Sequence, residues 1–267
     1  MTLAAELAGF KFNGFVADYD RVAGLYIGKK GIQGWSDGVD LRVDEADNPN
    51  GPGALELPGQ LSTRTISWEG HAVAETAAEL INYRNGFRSL LSSGGFERLI
   101  VDELGEQLWA SVQRNGIPEF RPRRRPSRHY LADYLIQVKA PNPRQYGQPV
   151  EGQSGQLPYS SAPLELINRG TYAADVSIRV RATSNMPNGY TLWGGDRWLR
   201  IRAPLSTGQV HEVDLTWEYV RRNGVIVNRA KHSGQGWDLP SKQIVEVRLE
   251  PHGGTGEFSP YFLPTFV

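Results

Sequence analysis

Residues 64–95, RTISWEGHAVAETAAELINYRNGFRSLLSSGG, change their hydrophobic period partway along. Up to Trp68 apolar and polar side chains alternate, the period of a half-buried strand, and a strand is predicted over Leu61–Trp68. Farther on the period becomes helical, with Val73, Ala77, Leu80, Arg84, Phe87 and Leu91 on one face of a helix predicted over Glu75–Leu91. Thr76 and Glu79 make a T-x-x-E capping box at its start, where hydroxyl and carboxylate each satisfy an orphan N–H. Ser92, Ser93, Gly94 and Gly95 then supply the stop. No second stretch of the chain switches period in this way, so the chain reads as mainly β with one α-helix in its first half.

Working outward, alternation returns at Val22–Ile27, Glu97–Val101, Gln107–Gln113 and Leu131–Lys139. Asn-Gly pairs tolerate the positive φ of a type I′ turn and predict hairpins. One joins Leu108–Val112 to Ile117–Phe120 through Asn115-Gly116, another joins Leu215–Val220 to Val225–Val227 through Asn223-Gly224, and Asn13-Gly14 is a weaker third. Asp44–Gly53, DEADNPNGPG, is too rich in Gly, Pro and Asn for a regular element and reads as a loop or crossover. The apolar pattern breaks over Pro141–Pro163, which predicts a first domain over 1–146, a linker over 147–162 and a second domain over 163–267. Strands follow at Leu164–Ile167, Asp175–Arg181, Trp198–Arg202, Val210–Leu215 and Ile244–Leu249, close enough together for a β-sandwich.

Composition removes several function classes. Across 267 residues, 29 Lys+Arg balance 29 Asp+Glu, leaving no cationic excess for phosphate contacts. Sequence-specific nucleic-acid binding is therefore not expected. Arg outnumbers Lys 23 to 6, a bias that a GC-rich coding sequence produces and that protein interfaces also favour. The absence of cysteine excludes disulfides, thiolate metal sites and a cysteine nucleophile. The N-terminus has no basic start, and Glu6 interrupts its apolar run, so no secretory signal is expected. No apolar run reaches the length of a membrane-spanning helix, so no membrane insertion is expected.

Catalytic signatures fail one by one. Gly152-Gln153-Ser154-Gly155 lacks the second glycine of a nucleophile elbow. Leu215 stands where a zinc-protease helix beginning at His211-Glu212 needs histidine. Gly254-Thr255-Gly256 meets Ser259 where a dinucleotide fingerprint needs glycine. Asp18/Asp20 and Asp44/Asp47 flank turns, where Asp commonly caps its own backbone. His71, His129, His211, His232 and His252 are scattered without ligand spacing. No cofactor, metal or enzymatic activity is expected.

Two features point to contacts instead. Arg121, Arg123, Arg124, Arg125 and Arg128 crowd one segment whose prolines prevent a helix or a central strand, a loop suited to an acidic protein partner. Trp193, Trp198, Trp217 and Trp237 enrich the second half in the residue that stacks on sugars, though sandwich cores use tryptophan equally. Trp193 and Trp198 are the candidates for stacking on a host-surface glycan.

The order of these segments resembles the distal tail proteins of phages with long non-contractile tails. A Gly/Pro loop at Asp47–Ala54 and then Arg64-Thr-Ile-Ser-Trp-Glu-Gly70 leading into a helix is similar to that family's first domain, with Ser62-Thr63 where glycine is usual. Leu164-Glu-Leu-Ile-Asn-Arg-Gly-Thr-Tyr172 looks like its I-x-N-x-G-T strand start. Gly208–Asp214 with Val220-Arg-Arg-Asn-Gly224 resembles its later hairpin. Trp237-Asp-Leu-Pro240 falls where a W-x-L-x-P-G segment precedes that family's last strands, with Ser241 and Lys242 standing where the glycine is expected.

The resemblance implies a barrel-like or sandwich ring-forming domain followed by a galectin-like, jelly-roll β-sandwich. It implies a virion protein, made in the host cytoplasm, that assembles as a homo-hexameric ring at the tail tip. Its neighbours would be the tail tube protein and the hub, tail-fibre or receptor-binding proteins, with the DNA exit channel through the ring. A carbohydrate-binding module or adhesin is the alternative reading.

Overall fold

The computed structural model describes residues 3–15, 22–43, 46–47, 54–55, 59–123, 129–150 and 161–267. The chain divides into two compact units, Met1–Gln145 with Val267, and Tyr146–Phe266. The first begins with β1 (Leu3–Leu7), β2 (Phe10–Asn13) and β3 (Gly24–Ile27). Four two-residue strands come next: β4 (Leu41–Arg42), β5 (Ala46–Asp47), β6 (Ala54–Leu55) and β7 (Gln60–Leu61). They lead to β8 (Arg64–Ala74), α1 (Ala77–Ser89), β9 (Glu97–Glu103), β10 (Glu106–Arg114), β11 (Glu119–Pro122) and β12 (Tyr130–Ala140).

Strand order β12-β8-β3-β2-β1-β9-β10 returns to β12 through Gln113↔Lys139 and Arg114↔Val138, closing a seven-stranded barrel-like sheet. Closure leaves few unpaired strand edges, the usual reason for a barrel. Along β8, Arg64, Ile66, Trp68, Gly70 and Ala72 point inward, while Thr65, Ser67, Glu69 and His71 point outward. The interior is aromatic: the Phe12 and Trp68 ring centroids lie 5.4 Å apart at 81°, and Phe87 of α1 reaches within 5.1 Å of Tyr134 and 5.2 Å of Phe120. Phe87 is the one buried residue within α1, and the half-buried Leu80 and Tyr83 pack on the same core.

The helix start follows the predicted chemistry with one shift. Thr76 Oγ1 accepts from the Glu79 N–H at 3.2 Å, but the Glu79 carboxylate reaches the Glu75 N–H at 2.9 Å rather than that of the cap residue. The predicted helical face was too long at its start. Val73 belongs to β8, packed on Tyr26 and Leu131 in a separate small cluster, and Ala77 is exposed.

Other turns also depart from expectation. Asn115-Gly116 makes no hairpin, because β10 and β11 both lie along β12: Arg114 faces Val138, the Asn115 N–H bonds Gln137 O, and Glu119 faces Leu135. The chain bulges between them and continues, with Gly116 supplying φ +95°. Asn13-Gly14 is not a hairpin turn either; that turn is Ala8-Gly9, between Leu7 and Phe10. Asp44–Gly53 is not wholly loop, since the backbone at Ala46–Asp47 pairs with Ala54–Leu55, and β4 pairs with β7 below it.

β13 (Gln145–Tyr146) follows in sequence. The later strands of the second unit are β14 (Leu164–Ile167), β15 (Val176–Ala182), β16 (Tyr190–Gly194), β17 (Arg197–Ile201), β18 (Val210–Asp214) and β19 (Tyr219–Arg222). It ends with β20 (Val225–Ile226), β21 (Lys231–Gly234), β22 (Ile244–Pro251), β23 (Gly256–Phe262) and β24 (Thr265–Phe266). Two five-stranded antiparallel sheets, β14-β22-β16-β17-β21 and β20-β19-β18-β15-β23, enclose one core, the galectin-like sandwich expected. Asn223-Gly224 is a two-residue hairpin turn as predicted, with φ of +51° and +77° and Arg222 opposite Val225. Its first strand starts at Tyr219 rather than Leu215, because residues 215–218 make another tight turn between Asp214 and Tyr219.

Among the described residues, the sandwich core holds one titratable base, a histidine. His211 is fully buried, its Nδ1 3.1 Å from Tyr190 Oη, and burial, followed by the nearby Arg222, lowers its pKa from 6.5 to about 4. Between those values the unfolded chain binds the extra proton, so stability falls as pH drops through this window, by up to about 3 kcal/mol. Thermal midpoints are expected to decline from pH 6.5 to 4 and to decline less in His211→Asn. Parallel pH profiles for the two proteins would rule this out.

Candidate functional site

On the barrel's outer surface, register builds a charged cleft. Asp133 on β12 stands between Arg121 on β11 and His71 on β8. Arg123, just past β11, donates to Asp133 from Nε at 2.9 and 3.0 Å, and His71 Nδ1 lies 2.7 Å from the same carboxylate. The Arg123 hydrogen bond, with His71 behind it, holds the Asp133 carboxyl below its ordinary pKa despite partial burial. Across the cleft, the turn at Gly28–Gly31 is fixed by the Gly28 N–H bonding Glu69 O at 2.8 Å, and it presents Lys29 and Lys30. Lys29 lies over the Phe15 ring at 5.5 Å, and Lys30 pairs with Glu69 at 3.1 Å. The cleft measures about 870 Å³.

The five sequence-predicted arginines therefore divide. Arg121 is three-quarters exposed, paired with Glu119 at 2.6 Å, whereas Arg123 is engaged with Asp133 and His71 in its own chain. Arg124, Arg125 and Arg128 lie outside the described residues. So do Asp18, Asp20 and Asp44. Among the described residues no group of three or more His, Asp or Glu side chains could hold a metal.

In the second unit Trp193 and Trp198 face each other across β16 and β17, their ring centroids 6.3 Å apart, on the outer side of that sheet. Trp193 is already occupied, since Arg248 stacks over it at 4.7 Å and Glu250 accepts from its Nε1 at 2.7 Å. Trp198 is the more open of the two, at 38% exposure. Trp237 is buried and Trp217 is an exposed turn residue. Sequence reasoning missed the contribution of Phe15, Lys29, Lys30 and Asp133, which only strand register brings together. Among the described residues, no helix is long and apolar enough to cross a membrane.

No protein-family model matches the chain, and no curated protein matches it. Among solved structures, the chain is similar to the Dit protein (gp 19.1) of phage SPP1, described as a paradigm of the hub adsorption apparatus in phages infecting Gram-positive bacteria. That alignment covers 100% of both chains with a TM-score of 0.68 and 12% identity. Two structures of the phage p2 baseplate in its activated conformation, with Sr and with Ca, each cover 97% of both chains. Their TM-scores are 0.47 and 0.48 at 8% and 7% identity. The chain shares the SPP1 Dit fold from end to end.

Proposed function

We propose that this chain is a distal tail protein, a structural subunit of a ring at the tip of a long non-contractile phage tail. The observation that carries this reading is the correspondence with SPP1 Dit over 100% of both chains at a TM-score of 0.68. In this reading six copies close a ring around the DNA exit channel, joining the tail tube to the hub and receptor-binding proteins, and the chain performs no catalysis. A closed ring satisfies a head-to-tail interface without an open filament end.

Physical features of the first unit support an assembly role. Leu41, Val43, Phe96, Leu104 and Ile117 are all more than half exposed, surface that a lone subunit leaves in water. The Gly/Pro segment Asp44–Gly53, which follows exposed Leu41 and Val43 in sequence, is assigned to clasp the neighbouring subunit. Exposed Arg121 is assigned to the same partner contacts. Zero net charge suits a conduit that passes DNA without retaining it.

Light scattering over a range of concentration and salt is expected to find a species near 180 kDa, six times the 29.7 kDa chain. A monomer at every concentration that also fails to form rings with its tail tube protein would overturn the reading. An imaged ring with the Asp44–Gly53 segment free in solvent would overturn the clasp alone.

A further inference from the structure

The outer face of the sheet β20-β19-β18-β15-β23 has a slot that neither the arginine segment nor the tryptophan pair touches. Register sets Tyr261, Ser177, Asp214 and Tyr219 in one row across four strands. Arg179, Glu212 and Arg221 form the next row on the same face. At about 4.8 Å per strand the two tyrosines stand roughly 14 Å apart at their Cα atoms, with the small Ser177 between them as floor. The resulting hollow is about 210 Å³. That is the volume of roughly seven waters, room for one ring-sized ligand.

We propose that this slot is a binding site for a neutral saccharide ring. Two guanidinium groups, Arg179 and Arg221, balance two carboxylates, Glu212 and Asp214, so the slot selects neither an anion nor a cation. Its planar forks are the groups that pair with adjacent hydroxyls, the arginine donating and the carboxylate accepting. Arg179 and Glu212 hold each other in place at 3.0 Å, which orients both forks before any ligand arrives. Arg221 stacks on Tyr219 at 4.7 Å, leaving Tyr261, 39% exposed, as the apolar platform. An extended peptide finds no place here by strand addition, because β15 and β18 under the slot are paired on both sides. The slot lies on the sheet opposite Trp193 and Trp198, so the two candidate sugar surfaces can be tested apart.

The test uses the full chain on a printed array of neutral and acidic oligosaccharides, followed by calorimetric titration with the neutral glycan that binds best. Tyr261→Ala is expected to weaken binding about tenfold, and Tyr261→Phe to keep it within about twofold, as an aromatic platform requires. Trp193→Ala with Trp198→Ala should leave it unchanged. Glu212→Gln, at a side chain 43% exposed, should weaken it about fivefold and carries the test if Tyr261→Ala unfolds. The site is overturned if the wild-type chain binds no neutral glycan, if acidic glycans bind best, if Tyr261→Ala binds normally, or if only the tryptophan pair matters. Ring mass reports on assembly and glycan affinity on the slot, so either proposal can fail while the other stands.

Discussion

Replacing Arg64 by Met is expected to cost the first unit about 4 kcal/mol, a large share of the stability of an ordinary domain. Arg64 sits on the inward face of β8 with 4% of its surface exposed. Its Nη1 donates to the carbonyls of Gly34, Trp35 and Asp37 at 2.9, 2.8 and 2.7 Å, and its Nε to Pro143 at 3.1 Å. Burial lowers its pKa, with Asp37 opposing the shift. Carbonyl dipoles rather than a paired carboxylate thus solvate this cation, and they fasten the loop at 34–37 and the segment after β12 to the barrel.

Methionine fills similar space but strands those acceptors, and a buried unmet carbonyl costs about 1–3 kcal/mol. Trp35 O is spared part of this, because Gln145 Nε2 also donates to it at 2.8 Å. Arg64→Lys is expected to recover less than half of the loss, since one ammonium cannot span carbonyls fanned across two segments. Urea unfolding of the full chain measures both variants. A loss under about 1 kcal/mol for Arg64→Met would mean that the carbonyls find water and that the arginine does not fasten the loop to the barrel.

Arg64 also shows what the sequence could and could not disclose. The alternation around it predicted a strand, over Leu61–Trp68 where the structure has Arg64–Ala74, because a half-buried strand imposes its period on adjacent residues. That the first inward position would be a buried cation was invisible, since its partners come from loops distant in sequence. Turns divide in the same way. Asn223-Gly224 was legible because both residues accept positive φ readily. Ala8-Gly9 and Leu104-Gly105 place an alanine at φ +48° and a leucine at +59°, a local strain that only flanking strand pairs enforce.

Barrel closure through β10 and β12 likewise depends on long-range register, and Asn115-Gly116 misled because a bulge and a hairpin use the same residues. The candidate surfaces were legible as residue types alone. Tryptophan enrichment was visible in the second half, but nothing local said that Arg248 would cover Trp193, or that Tyr261 and Tyr219 would share a row.

Gly170→Ala is expected to destabilise the second unit by about 4 kcal/mol, above the usual range for an overpacked core because the obstacle is backbone. A Cβ at this position would lie 1.9 Å from the Thr265 carbonyl oxygen and 2.6 Å from its carbonyl carbon and its nitrogen, with no side chain able to rotate away. The surrounding turn is over-determined. Asn168, fully buried, accepts the Gly170 N–H at 2.9 Å and donates to Tyr172 O at 2.6 Å and Leu239 O at 3.2 Å, while Ser241 Oγ donates to Gly170 O at 2.6 Å.

Relief of the clash must therefore move either this turn or the end of the chain, where the Tyr172 N–H bonds Thr265 O at 3.0 Å. The N-x-G-T spacing that looked like a family signature thus has a mechanical cause: the amide pins the turn, and the glycine admits the closing strand. Asn168→Ala is expected to cost less, about 2–3 kcal/mol, because it strands donors and acceptors without a collision. If Gly170→Ala unfolds at the wild-type urea midpoint, the closing strand is free to shift and the contact at Thr265 does not hold the sandwich together.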